Sequence, residues 1–122
     1  MYDHIGLRVK DLKTSLRFYQ TTLGCLGHVL GANDNSYAGF GPKGASALWL
    51  HANPDAKGGT HVAFRAPSRA AVDQFHKDGL TAGGRDNGTP GLRADYSPTY
   101  YAAFLIDPDG NNVEAVCLAE GK

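Results

Sequence analysis

The sequence predicts an α+β fold in which two tandem β-α-β-β-β modules build a cup-shaped mixed β-sheet. Three observations carry that expectation. His61-Val62-Ala63-Phe64-Arg65 repeats His4-Ile5-Gly6-Leu7-Arg8 at an offset of 57 (61 − 4), and Phe75, Leu80 and Gly84 repeat Phe18, Leu23 and Gly27 at the same offset. Strand-like alternation is followed in each copy by helical spacing of apolar residues. The chain then closes on Tyr101 to Ile106, Asp107-Pro108-Asp109-Gly110 and Val113 to Leu118, which is a β-hairpin around a tight turn.

In order, Tyr2 to Lys10 alternates Ile5, Leu7 and Val9 against His4, Gly6 and Arg8, so it is a strand. Asp11 caps a helix with Leu12, Leu16, Tyr19 and Leu23 on one face, and Gly24 ends it. Short strands follow near 26–31, 36–40 and 45–52, separated by Asn33-Asp34-Asn35 and Gly41-Pro42-Lys43-Gly44. The second copy opens at His61. Ser68 starts its helix, and Ala71, Val72, Phe75 and Leu80 form the buried stripe. Tyr101-Ala102-Ala103-Phe104 repeats Tyr37-Ala38-Gly39-Phe40 at an offset of 64 (101 − 37), so seven extra residues fall within 85–99. That Gly- and Pro-punctuated stretch is expected to be a long loop, either a lid or a disordered connector. One domain spans 1–122, with a first module of about 1–55 and a second of about 58–119.

Composition narrows the function. Formal net charge is zero, and no Lys/Arg run interleaves with aromatics, which argues against nucleic acid and against an anionic membrane surface. No apolar run approaches the roughly 20 residues of a membrane span, and the first residues lack a secretory leader. Cys25 and Cys117 have no Cys-x-x-Cys spacing, so a cytoplasmic protein with reduced thiols is expected. The 16 glycines exceed the usual share of about 7% and fit many short elements joined by turns.

The repeat gives the histidines their meaning. His4 and His61 hold matching positions on equivalent first strands, and the last strands align Leu48 with Val113 and Trp49 with Glu114. Glu114 shares a strand face with Asn112 and Val116, where a carboxylate needs a cation, a donor or water. Taken singly, the histidines read as strand-start residues and Glu114 as a solvent-facing edge residue. Two modules related by an approximate two-fold would instead bring His4, His61 and Glu114 together as a facial metal triad with open coordination positions.

Over essentially its whole length the chain resembles the vicinal oxygen chelate superfamily, the glyoxalase / bleomycin-resistance / extradiol-dioxygenase group. The resemblance rests on Asp3-His4-Ile5-Gly6-Leu7-Arg8-Val9-Lys10-Asp11-Leu12, Gly59-Thr60-His61-Val62-Ala63-Phe64 and Phe104 through Glu114. It implies a cup that holds a divalent metal (iron, nickel, zinc or manganese), with His4, His61 and Glu114 as ligands. It also implies a small-molecule substrate with vicinal oxygens, and a homodimer, with the ligands drawn from one chain or from two.

Departures from the family's patterns limit the reaction. Glyoxalase I enzymes carry a second carboxylate where Trp49 stands, and an indole can only donate. Fosfomycin-resistance transferases place a hydroxyl where Gly6 stands, and extradiol dioxygenases a Tyr where Phe104 stands. Bleomycin-binding relatives lack the metal and hold ligand between subunits. The expectation is therefore a metal-dependent lyase- or isomerase-like enzyme other than a true glyoxalase I. An extradiol-type dioxygenase and a metal-free small-molecule binding protein are the alternatives. Glu114, His51 and Tyr100 are the candidate catalytic residues, and Trp49, Phe104, Arg93 and Tyr96 the candidate substrate contacts. His28 and His76 read as surface or packing residues.

Overall fold

The computed structural model describes residues 1–119. Its elements run β1 (Ile5–Val9), α1 (Leu12–Gly24), β2 (Val29–Asn33), β3 (Tyr37–Gly41), β4 (Leu48–Ala52), β5 (His61–Arg65), α2 (Arg69–Thr81), β6 (Arg85–Leu92), β7 (Tyr101–Ile106) and β8 (Asn112–Cys117). Two β-α-β-β-β units therefore follow one another, as the repeat predicts. Their strands form two four-stranded sheets, ordered β1-β4-β3-β2 and β5-β8-β7-β6. Each sheet is mixed, because β1 runs parallel to β4 and β5 parallel to β8 while the other pairs are antiparallel.

Local chemistry sets the helices. The Asp11 side chain accepts from the backbone N–H groups of Lys13 and Thr14, and Ser68 accepts from that of Ala71, each supplying the missing partner of a first turn. Each helix packs on its own sheet and the two helices pack on each other. One continuous core results, in which Val9, Phe18, Tyr19, Phe40 and Leu50 meet Val72, Phe75, Leu105 and Val113. Leu80 does not join the buried stripe of α2: it is exposed, and His76 and Gly79 are buried there instead. A Cβ at Gly79 would lie 2.3 Å from Leu105 Cδ1, so a side chain there would have to displace the buried Leu105 side chain.

Two expectations change. Residues 85–99 are not a continuous loop, because Arg85–Leu92 form edge strand β6, with register shifts on both sides of Gly88. Pro90 is tolerated there because an edge strand leaves one row of backbone groups unpaired. The offset of 64 for the third strand is also one residue short. Gly39 lies opposite Trp49 and Phe104 lies opposite Glu114, so both strands shift by 65 (104 − 39 and 114 − 49). A slip of one residue exchanges the faces of a strand. Phe40 is accordingly a core residue, whereas Phe104 lies on the opposite face, beside Glu114.

The Asp107–Asn111 turn binds the second module to the first. Asp107 is buried and accepts from the backbone N–H groups of Asp109 and Asn111, the Asn111 amide and the Tyr19 hydroxyl of α1. Asp109 accepts from Lys10 N at 2.9 Å and from Ser15 Oγ at 3.1 Å. Gly110 (φ +93°) supplies the left-handed position that the turn requires. Burial, reinforced by the negative charge of Asp107, raises the Tyr19 hydroxyl pKa well above its ordinary value.

Candidate functional site

Strand alternation puts Val113, Ala115 and Cys117 in the core and turns Glu114 to the other face, between Ala63 of β5 and Phe104 of β7. Only 2% of Glu114 is exposed, so both of its oxygens need partners. His61 Nε2 lies 2.9 Å from Oε1, and the Tyr100 hydroxyl donates to Oε2. Burial, and then the hydrogen bond to Glu114, push the Tyr100 pKa up to about 12, so at neutral pH it is a proton donor. His61 remains half exposed, so the pair meets solvent through the imidazole while the carboxylate itself stays covered.

The segment after β6 closes around this pair. Arg93 N donates to Tyr100 O, and Tyr96 N donates to Arg93 O, which folds 93–100 back on itself. The Tyr96 ring meets Tyr100 edge-on at 5.0 Å. The Arg93 guanidinium lies 5.3 Å over the Phe104 ring and donates only to the carbonyls of Gly91 and Thr89. Among the described residues no carboxylate neutralises it. Phe104 also stands 6.4 Å from the His61 ring. A buried carboxylate, an imidazole, a phenol, an aromatic wall and an uncompensated cation thus occupy one face.

The structure brings Glu114, His61, Tyr100, Phe104, Arg93 and Tyr96 together. His4 does not join them. Among the described residues, no three His, Cys, Asp or Glu side chains are grouped as a metal ion would require. Instead His4 precedes β1, with Nδ1 2.7 Å from Asp3 Oδ1 and more than half of its side chain exposed. Trp49 and His51 belong to the first sheet. The indole lies over Gly39, where a Cβ would come within 2.5 Å of it, and 6.0 Å from the Tyr37 ring. It faces away from α1, on the same side of its sheet as Gly6, which supports the pairing of the last strands. His51 sits at the exposed end of β4, opposite Arg8.

Sequence reasoning missed two contacts. The Asp3–His4 pair was visible as neighbours in the chain. The grip of Tyr100 on Glu114 depends on how 93–100 folds, and no spacing announced it. His76 is a packing residue, as expected, with Nε2 2.8 Å from Asp86. Cys25 and Cys117 are free thiols, and among the described residues no helix is long and apolar enough to cross a membrane.

A family model described as the Glyoxalase/Bleomycin resistance protein/Dioxygenase superfamily matches residues 2–115. The chain belongs to that superfamily. A glyoxalase/bleomycin resistance protein from Albidiferax ferrireducens is 31% identical with a TM-score of 0.86, covering 96% of this chain and 98% of its own. A superfamily enzyme from Burkholderia phytofirmans (17% identical, TM-score 0.74, 96% and 98% covered) shares the fold. So does a lactoylglutathione lyase from Agrobacterium tumefaciens (19% identical, TM-score 0.71, 96% and 92% covered). No curated protein matches the sequence. Superfamily membership accounts for the paired modules, while the reaction has to be argued from the site.

Proposed function

We propose that the Glu114 face is the substrate site of a divalent-metal-dependent, lyase- or isomerase-like enzyme of the cytoplasm, acting on a small molecule with vicinal oxygens. The observation that carries this reading is the buried Glu114 carboxylate held by His61 and Tyr100 on the face away from the core. The spacing of the pair supports the reading. Two ligand atoms each about 2.1 Å from one ion and at a right angle to each other stand about 3.0 Å apart. His61 Nε2 and Glu114 Oε1 are 2.9 Å apart. The third ligand of the reading, His4, has Nδ1 engaged by Asp3, the carboxylate–histidine arrangement that leaves Nε2 for a metal. Because His4 is not grouped with the pair within one chain, the reading takes it from a second copy, in a homodimer.

When bound, such an ion would act as a Lewis acid toward two neighbouring substrate oxygens. The chain's own residues do the rest. Tyr100 holds a proton against Oε2 and fixes the carboxylate plane. Phe104, with Arg93 stacked on it, receives an aromatic or anionic part of the substrate, and Tyr96 shields Tyr100. Glu114→Gln keeps the shape and removes the charge, so metal retained by protein purified without chelator should fall to background while circular dichroism is unchanged. Metal that stays bound in this variant sinks the reading. The identity of the ion bears on the dioxygenase alternative, which needs ferrous iron.

Trp49 stands where a glyoxalase I would place its second carboxylate. The native protein should therefore turn over the glutathione–methylglyoxal hemithioacetal negligibly, and robust activity in that assay would refute the argument from Trp49. One observation favours a second reading, a metal-free binding protein: His61 and Tyr100 already satisfy both Glu114 oxygens without an ion. That protein would bind its ligand equally well before and after Glu114→Gln.

A further inference from the structure

Strand β6 is shaped around a side chain of the segment that follows it. A Cβ at Gly88 would come 2.8 Å from Phe104 Cδ1 and 3.1 Å from Arg93 Nη2, and one at Gly91 would come 3.4 Å from Arg93 Nη1. The register shifts of the strand fall on both sides of Gly88. Room made in this way lets the guanidinium fold back onto its own strand. Nη1 donates to Gly91 O at 2.9 Å, Nη2 donates to Thr89 O at 2.8 Å, and the guanidinium carbon lies 5.3 Å over the Phe104 ring. Arg8 and Arg65 also lack a carboxylate partner among the described residues, but they are exposed and leave their charge to water. Arg93 is half-buried, and a long side chain gives up rotamer freedom to be held like this. Its partners are neutral, so the fixed cation has no counter-charge of its own.

We propose that Arg93 binds a carboxylate of the substrate, so that the molecule received at the Glu114 face is a small carboxylic acid; this rests on that face being the substrate site. The stacked guanidinium covers one face of the Phe104 ring. What the group presents there is a set of N–H donors rather than a bare aromatic surface. A guanidinium carries five N–H groups. The two carbonyls leave the rest free, enough for the paired hydrogen bonds of a carboxylate. Charge decides between anions. No second Lys or Arg joins the group around Phe104, and Glu114 lies opposite that ring on the next strand. One cation matches a singly charged carboxylate better than a phosphate dianion. Reach agrees with a small molecule. Arg93 is 5.3 Å from the Phe104 ring and His61 is 6.4 Å from it, so the cation and the imidazole are separated by at most the sum, 11.7 Å. One molecule can place its carboxylate on Arg93 and its reacting oxygens beside His61.

The test is benzoate, benzamide and phenyl phosphate titrated into the isotope-labelled protein with chelator present, followed by amide shifts in NMR. Benzoate should saturate one site with a dissociation constant of about 10 mM or tighter, as expected of so small a ligand. It should move the signals of Gly88, Gly91 and Arg93. Benzamide keeps the shape without the charge and should bind about tenfold more weakly or worse, and phenyl phosphate should also bind more weakly than benzoate. Arg93→Gln should weaken benzoate by about tenfold or more, the worth of a charged hydrogen bond, with an unchanged circular dichroism spectrum. Arg93→Lys keeps the charge and loses the fork, so it should weaken benzoate by about threefold or more, and it carries the comparison if the Gln variant does not fold. Chelator makes the titration independent of metal, and Arg93→Gln should retain as much metal as the parent, so this result and that of Glu114→Gln are read separately. The proposal is overturned by any of four results: no saturable benzoate binding to the parent, shifts that bypass Gly88 and Gly91, benzamide or phenyl phosphate binding as tightly as benzoate, or full benzoate affinity in a folded Arg93 variant.

Discussion

Glu114 is the residue on which the functional reading turns, and its neighbours explain why it is tolerated in the middle of a strand. A carboxylate with 2% exposure would be strongly disfavoured alone, and Tyr100 and His61 remove that penalty with one donor per oxygen. If His4 of a second copy completes the set, two inactive variants should rescue each other. His4→Ala and Glu114→Gln proteins, each unable to hold metal, form one intact site per mixed dimer when combined. Random exchange would then restore about a quarter of the sites, read as metal per chain after mixing. No recovery would mean that the third ligand is not His4 of another copy. At this scale much was legible: Glu114, His61, Tyr100, Phe104, Arg93 and Tyr96 were all singled out, and they meet. The separation of His4 from them was not legible, because a repeat reports equivalent positions in two modules and says nothing of how the modules are placed.

Among the elements, the β7–β8 turn shows how a local signal can hide a tertiary function. Asp-Pro-Asp-Gly reads as a turn from its residue types, yet Asp107 and Asp109 also serve Tyr19, Ser15 and Lys10 in the other module. Asp107→Ala would leave several buried donors without an acceptor and should cost about 3 kcal/mol or more of unfolding free energy. Tyr19→Phe, which removes one donor and leaves the turn's own bonds, should cost about 1 kcal/mol. Denaturant titration of both variants checks the order, and an Asp107→Ala protein as stable as the parent would contradict it. The one-residue error in aligning β7 has a physical origin as well. Ala102 and Ala103 are both buried, so the alternation that normally fixes a strand's faces gave no signal there, and matching Tyr and Phe residues carried the alignment instead. Strand β6 escaped notice because Gly and Pro dominate its sequence, although an irregular edge strand accommodates both.

For the whole molecule, two of the perturbed phenols, Tyr100 and Tyr19, join the candidate site and the inter-module contact to one observable. Tyr100 ionises near pH 12, and burial beside Asp107 likewise raises the Tyr19 pKa well above the ordinary 10.0. Each proton is held more tightly in the folded chain than in the unfolded one. The stability this confers is complete below about pH 10 and is lost as pH rises through the folded pKa values. Alkaline titration followed by tyrosinate absorbance should show Tyr100→Phe removing a step near pH 12. The Tyr19 step should coincide with loss of the folded circular dichroism signal, and a Tyr19 that ionises reversibly near pH 10 in the folded protein would contradict the burial described here.

The two sheets share no strand pairing, and this bears on how the protein could yield to force or to a ligand. Each sheet is stiff because its own ladder holds it. A change in the angle between the sheets breaks no backbone ladder and strains side-chain packing and the few hydrogen bonds that cross between the modules, among them Arg17 to the Thr81 carbonyl. The Asp107–Asn111 turn fastens one end of that joint, while the hydrogen bonds of the Pro42–Ala47 turn at the other end stay inside the first module. The chain therefore has the mechanics of a clamshell with a single clasp, in which a molecule wedged into the seam would act on the spacing of the two plates.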